Sequence, residues 1–187
     1  MAKQKNNIIM RSTRGMVGGQ IVFKRRAGKG YVAAAPEVNE NRKPTVGQQA
    51  VQEKFKRCLD YAKLAITEPL IKEAYKAKAL RHQSAFNVAF LDAQFAPEVI
   101  AVIADGYNGA VGNTIVVRAT DNFKVDSVKV AIKNAADEII EEGPAVLSTG
   151  DLWVYTTTHA NPVIPGTKIK ASAFDMPENE GFREITL

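Results

Sequence analysis

Ten side chains near the start of the chain are of types that could act together. Arg11, Arg14, Lys24, Arg25, Arg26, Lys29, Arg42 and Lys43 are cations, and Phe23 and Tyr31 lie among them. Cationic side chains on short or flexible segments bind phosphate directly and release its counterions. Aromatic rings beside them could stack on bases. The plainer reading is favoured for the rings, that Phe23 and Tyr31 anchor a hairpin on an apolar surface. The cations could also grip an acidic neighbouring subunit, so protein and nucleic acid both stand as expected partners.

Other chemistries find little support. Zinc needs clustered Cys and His, yet His82 and His159 are far apart in sequence and Cys58 is the sole cysteine. Cys58 falls on an apolar helix stripe and reads as a buried thiol. His82 reads as a helix residue and His159 as a loop residue. Gly28-Lys29-Gly30 and Gly18-Gly19 lack the length and the Lys-Ser/Thr ending of a phosphate-binding loop. The run Asp137, Glu138, Glu141, Glu142 lacks calcium-loop spacing and reads as a solvated hairpin. Asp175, Glu178 and Glu180 flank Met176-Pro177 in another expected turn. The expectation is no enzyme, no cofactor, no metal and no small-molecule substrate.

The elements that carry these residues follow from periodicity. Residues 1–14 read as a basic arm. Residues 15–35 read as two β-runs around a turn near Arg26–Gly30, a hairpin that is marginal on its own. The stretch 36–44 is a proline-bounded linker. Thr45 and Gln48 have capping-box spacing. Val51, Phe55, Cys58, Leu59, Ala62, Ala65 and Ile66 then follow a helical period. A second helix is expected from about Thr67 with Pro69 in its first turn. It carries Leu70, Ile71, Ala74, Tyr75, Ala79 and Leu80. A third is expected from about Ser84.

From residue 98 the period becomes two. Strands are expected at 99–104, 114–120, 125–133, 138–141, 152–157, 167–174 and 182–187. Val128, Val130 and Ile132 oppose Lys129 and Lys133, which marks a sheet wet on one face and packed on the other. The fold class is α+β: a basic arm, β-hairpin and helical hairpin, then an antiparallel immunoglobulin-like β-sandwich with Trp153 in its core. The domain boundaries are 1–44, 45–96 and 97–187.

Composition agrees with a globular chain. Of the 187 residues 45% are hydrophobic and 24% charged, which excludes a disordered or collagen-like chain. No apolar run has the length of a bilayer span or of a secretory signal. The expected location is a virion or the bacterial cytoplasm. Residues 1–96 hold 18 Lys and Arg against 7 Asp and Glu, a net charge of +11. Residues 97–187 hold 7 against 13, a net −6. That split marks a basic part seeking an anionic partner and an acidic part able to supply one.

Gly18, Gly19, Val22, Phe23, Gly28, Tyr31 and Val32, followed by Pro44, Thr45, Gln48 and Phe55, form a recognisable pattern. A glycine-rich start leads into V-F-x-x-x-x-G-x-x-Y-V and then a Pro-Thr-x-x-Q helix start. The chain resembles a loose group of small uncharacterised bacterial and prophage-encoded proteins with an N-terminal hairpin-helix module and a C-terminal β-sandwich. The long basic arm before Gly15 departs from the group. The resemblance implies a structural or decorating component of a bacteriophage or phage-like particle, docking on neighbours in an oligomeric assembly. The alternative is a nucleic-acid-binding protein that uses the basic module for phosphate contacts.

Overall fold

The structure, a computed structural model, describes residues 2–3, 13–36 and 43–187. The chain divides into two compact units, Met1–Gln49 and Ala50–Leu187.

The first unit is a small antiparallel sheet. Strands β1 (Ala2–Lys3), β2 (Gly15–Val17), β3 (Ile21–Arg26) and β4 (Lys29–Ala34) lie in the order β1-β4-β3-β2. Arg26 pairs with Lys29, so the hairpin turn is the dipeptide Ala27-Gly28. Both turn residues have positive φ, 49° and 78°. That backbone matches a type I′ turn, whose twist suits the flanking strands. Gly28 adopts it freely and Ala27 under mild strain. The arm reading of residues 1–14 fails at its start. Ala2 pairs with Val32 and Lys3 with Tyr31, which covers part of an edge that β4 would otherwise leave open.

Helix α1 (Val46–Ala65) begins at the expected capping box. Gln48 N–H donates to Thr45 Oγ1 at 3.3 Å, and Thr45 N–H donates to Gln48 Oε1 at 3.1 Å. Every residue from Val46 to Arg57 is exposed; burial begins at Cys58. The stripe therefore departs from expectation at Val51 and Phe55, which face solvent, although Phe55 tilts against Phe90. Helices α2 (Pro69–Lys78) and α3 (Ala85–Gln94) follow, with Pro69 in the first turn of α2 and Ser84 capping α3 through Asn87 N–H. His82 is not helical: it sits between α2 and α3 with φ 68°. Leu80 also lies beyond α2 and is exposed. Ala62, Ala65, Tyr75, Val88, Ala89 and Phe123 form the helical core.

Seven strands complete this unit: β5 (Glu98–Ile103), β6 (Thr114–Thr120), β7 (Val125–Lys133), β8 (Ile139–Thr149), β9 (Leu152–Thr156), β10 (Lys168–Asp175) and β11 (Glu180–Thr186). All neighbours are antiparallel, in the order β11-β10-β7-β8-β9-β6-β5. The sheet curls until its edges approach. Arg183 on β11 donates to the carbonyl of Ile100 on β5, and a Cβ on Gly181 would overlap the Pro97 carbonyl. Val117, Val128, Val130, Ile132, Ile169, Ala171 and Ala173 are fully buried inside, with Trp153 beside them. The fold is α+β, with three helices and two sheets among the described residues.

Strand β8 runs eight residues past its expected end at Glu141. Residues 139–145 pair with β7 and residues 146–149 with β9. Pro144 stands next to that change of partner, which is where a missing N–H is tolerated.

Candidate functional site

Alternation along β3 and β4 sorts the basic residues between two faces. Lys24 pairs with Tyr31, and Arg26 pairs with Lys29. These four share a face with Met16, Val22 and Ala33 by register. Phe23 and Arg25 share the other face with Val17, Ile21, Val32 and Ala34. Arg14, Phe23, Arg25, Ala27 and Gly28 line a recess of about 460 Å³. The predicted group therefore splits in two, with one aromatic ring beside each basic cluster. Lys43 is exposed and belongs to no helix or strand. Arg11 and Arg42 lie outside the described residues.

A second constellation lies in the larger unit and was not anticipated. Asp92 near the end of α3, Asp121 just after β6 and Asp175 at the end of β10 each offer an oxygen, all within 4.8 Å of one another. Asp92 is 0% exposed and Asp175 2% exposed. Asp92 Oδ2 accepts from the Tyr75 hydroxyl at 2.6 Å, and Tyr61 and Tyr75 hydroxyls are 2.8 Å apart. Asp121 Oδ2 accepts from the backbone N–H groups of Phe123 and Lys124 at 2.8 and 2.9 Å. Asp175 accepts from Asn179 through its backbone N–H and its amide, at 2.6 and 2.7 Å. Asn179 also donates to the carbonyls of Asp92 and Ala93, which ties α3 to the sheet. Asp92 Oδ1 and Asp121 Oδ1 are buried with no N–H or O–H group donating to them, and the two carboxyl groups lie within hydrogen-bond reach of each other. Burial pushes the Asp92 carboxyl up to about 7, against the opposing Tyr75 hydrogen bond and with the help of nearby Asp121 and Asp175. These three carboxylates are the residues that could hold a metal.

Glu141 corrects the reading of its acidic run. Asp137, Glu138 and Glu142 are exposed, but Glu141 is 5% exposed. It pairs across the ladder with fully buried Ile132, so register turns it inward. Its Oε2 accepts from Tyr155 hydroxyl, Thr158 N–H and hydroxyl, and His159 N–H, at 3.1, 2.8, 2.9 and 3.2 Å. Burial alone would raise this carboxyl, but the hydrogen bonds outweigh it and hold the group below the usual carboxylate range. His159 lies in a loop, with Nδ1 3.7 Å from Glu141 Oε2. Cys58 is buried and donates to the Ala93 carbonyl at 3.3 Å, as its place on the stripe implied.

No protein-family model and no curated protein matches this chain. A crystal structure of an engineered protein is similar over 41% of this chain, at 14% identity and a TM-score of 0.32. The matching part spans 16% of that protein, a likeness too slight to support an argument. No helix among the described residues is long and apolar enough to cross a membrane.

The acidic cluster had a signal that sequence reading passed over. Asp92 falls in an otherwise apolar helix segment, Asp121 and Asp175 each end a strand, and Tyr75 sits in an apolar stripe with a hydroxyl to satisfy. The chain order hides that these points converge, because 29 residues separate Asp92 from Asp121 and 54 separate Asp121 from Asp175.

Proposed function

We propose that the chain is a non-enzymatic structural or decorating subunit of a bacteriophage or phage-like particle, docking through its N-terminal sheet onto a neighbouring copy. One observation carries this reading: no residue from Thr13 to Pro36 is buried, although most of them are hydrogen-bonded into strands. Val17, Ile21, Phe23, Val32 and Ala34 share one face of that sheet by register. A small sheet with an uncovered apolar face gains stability only by covering it. The acidic residues 97–187 of another copy supply charge complementary to Arg25 on the same face. The exposed first half of α1, with Val51 and Phe55, offers further area. The resemblance to prophage-encoded proteins points the same way, towards a virion or a bacterial cytoplasm where particles assemble.

The larger unit fits this role as an immunoglobulin-like sandwich. The order β11-β10-β7-β8-β9-β6-β5, with β8 passing from one layer to the other, supports that finer reading. Such a module is a rigid platform for a docking element.

Sedimentation of the full chain over a micromolar to millimolar range tests the proposal. Self-association that survives salt and is lost in Ile21→Asp is the expected result. A chain that stays monomeric throughout overturns docking on a copy.

The recess lined by Arg14, Phe23 and Arg25 favours a second reading, phosphate contact with a stacked base. Binding to single-stranded DNA that falls steeply with salt would establish it in place of the first.

A further inference from the structure

We propose that Asp92, Asp121 and Asp175 form a calcium site that clamps the helices onto the curled sheet. Three carboxylates converge from three separate elements. None of them takes part in an ion pair among the described residues. A buried carboxylate without a countercharge is costly, and three together cost more.

The second observation is the pair of orphan oxygens. Asp92 is fully buried, and its Oδ1 receives no N–H or O–H; Asp121 Oδ1 is in the same condition, and the two carboxyl groups lie within reach of each other. Buried polar atoms are nearly always satisfied, so two neighbouring carboxylates without a donor call for a cation or a proton between them. Meanwhile Tyr75 and the Phe123 and Lys124 N–H groups hold the other oxygens of Asp92 and Asp121, and Asn179 holds both oxygens of Asp175. Those hydrogen bonds fix the three side chains and leave Oδ1 of Asp92 and of Asp121 without a donor; supporting groups preorganise metal ligands in this way.

The chemistry narrows the cation to a hard one, and calcium is the ion proposed. An all-carboxylate set suits a hard ion. Calcium bonds oxygen at about 2.3–2.6 Å, so ligands on opposite sides of one ion lie about 4.6–5.2 Å apart. The three oxygens lie within 4.8 Å of one another and fit around one such ion. Water would complete its shell. Bound there, calcium would join the end of α3 to the ends of β6 and β10.

The test uses the full chain, stripped with chelator and dialysed at pH 8. Thermal melting is followed with calcium chloride, with magnesium chloride, or with sodium chloride at matched ionic strength. Terbium emission is read on excitation of tyrosine, because Tyr75 contacts Asp92. Calcium at a hundredfold excess over its Kd should raise Tm by roughly 5–10 °C. Terbium should be sensitised and then displaced by calcium, with one ion per chain. Asp121→Asn keeps a side-chain oxygen for its turn and should lose both responses. Asp151→Asn, at an exposed ion pair, should keep them. Magnesium acting without calcium would overturn the choice of ion. Coincident melts in calcium and sodium with no terbium emission from the unaltered chain would overturn the site, whether or not any variant folds. That result would leave a proton shared between Asp92 and Asp121 as the link between them.

Discussion

The two antiparallel sheets of this protein both carry apolar side chains along one face and end in opposite states. In the seven-stranded sheet, Val128, Val130, Ile132, Ile169, Ala171 and Ala173 alternate with polar residues and are fully buried. In the four-stranded sheet, Ile21, Phe23 and Val32 share one face while Val22, Lys24, Tyr31 and Ala33 share the other, and none is buried. Period-two patterning makes a strand wherever it occurs, but it does not supply the layer that covers the strand. The larger sheet curls onto itself until Arg183 reaches Ile100. The smaller one, at two to six residues per strand, is too short to do so. The larger sheet therefore buries its apolar face in its own core, and the smaller one leaves its apolar face unburied.

Truncations at equivalent positions should widen that contrast. Ile169→Ala opens a cavity in a closed core and should cost about 2–5 kcal/mol in urea unfolding. Ile21→Ala should change the same curve by less than about 0.5 kcal/mol at monomeric concentrations. A comparable cost at Ile21 would show that the small sheet is covered after all.

Glu141→Gln comes next in size. The carboxylate takes four hydrogen bonds on one oxygen and anchors the segment at Thr158 and His159 to β8. Losing the charge should cost about 1–3 kcal/mol near pH 7. Its folded pKa is depressed, so the folded state holds the charged form more tightly than the unfolded chain does. That stabilisation is complete above the ordinary carboxylate value of about 4.3 and is lost as pH falls through the folded value. The gap between the two proteins in urea should shrink as pH drops below about 4. A gap that stays constant with pH would mean the hydrogen bonds act without the charge.

Most of the local structure could be read before the fold was known. The capping box at Thr45 and Gln48, Pro69 opening α2, and the strands 114–120 and 125–133 all rest on neighbours in sequence, where short-range rules apply. The misses have one cause, which is that a distant partner decided the outcome. Val51 and Phe55 keep helical spacing but stay exposed, although Phe55 meets the Phe90 ring of α3. Glu141 looks solvated among its acidic neighbours until its pairing with Ile132 turns it inward. β8 outruns Pro144 because a second strand takes over its hydrogen bonds. His82 follows α2 closely enough to read as helical, yet it lies between α2 and α3 with positive φ. The carboxylate cluster is the extreme case, since three elements must be assembled before their charges meet. The basic residues were legible as a group but not as two faces, because the face of each depends on strand register.

The smallest stability effect separates those two faces. Arg25 shares the apolar face with Phe23 and Ile21, whereas Arg26 shares the opposite face with Lys24 and Tyr31. Both arginines are exposed, so Arg25→Glu and Arg26→Glu should each shift unfolding by no more than about 0.5 kcal/mol. Their effects on association should differ sharply. If the apolar face docks on an acidic copy, Arg25→Glu weakens sedimentation-detected association and Arg26→Glu leaves it near that of the unaltered chain. If the sheet instead follows a phosphate backbone, charge on either face contributes. Both reversals then weaken DNA binding, and each lowers its dependence on salt by about one counterion per lost contact. Equal loss of self-association in the two variants would remove the distinction between the faces, and with it the argument that the uncovered apolar face is the one that docks.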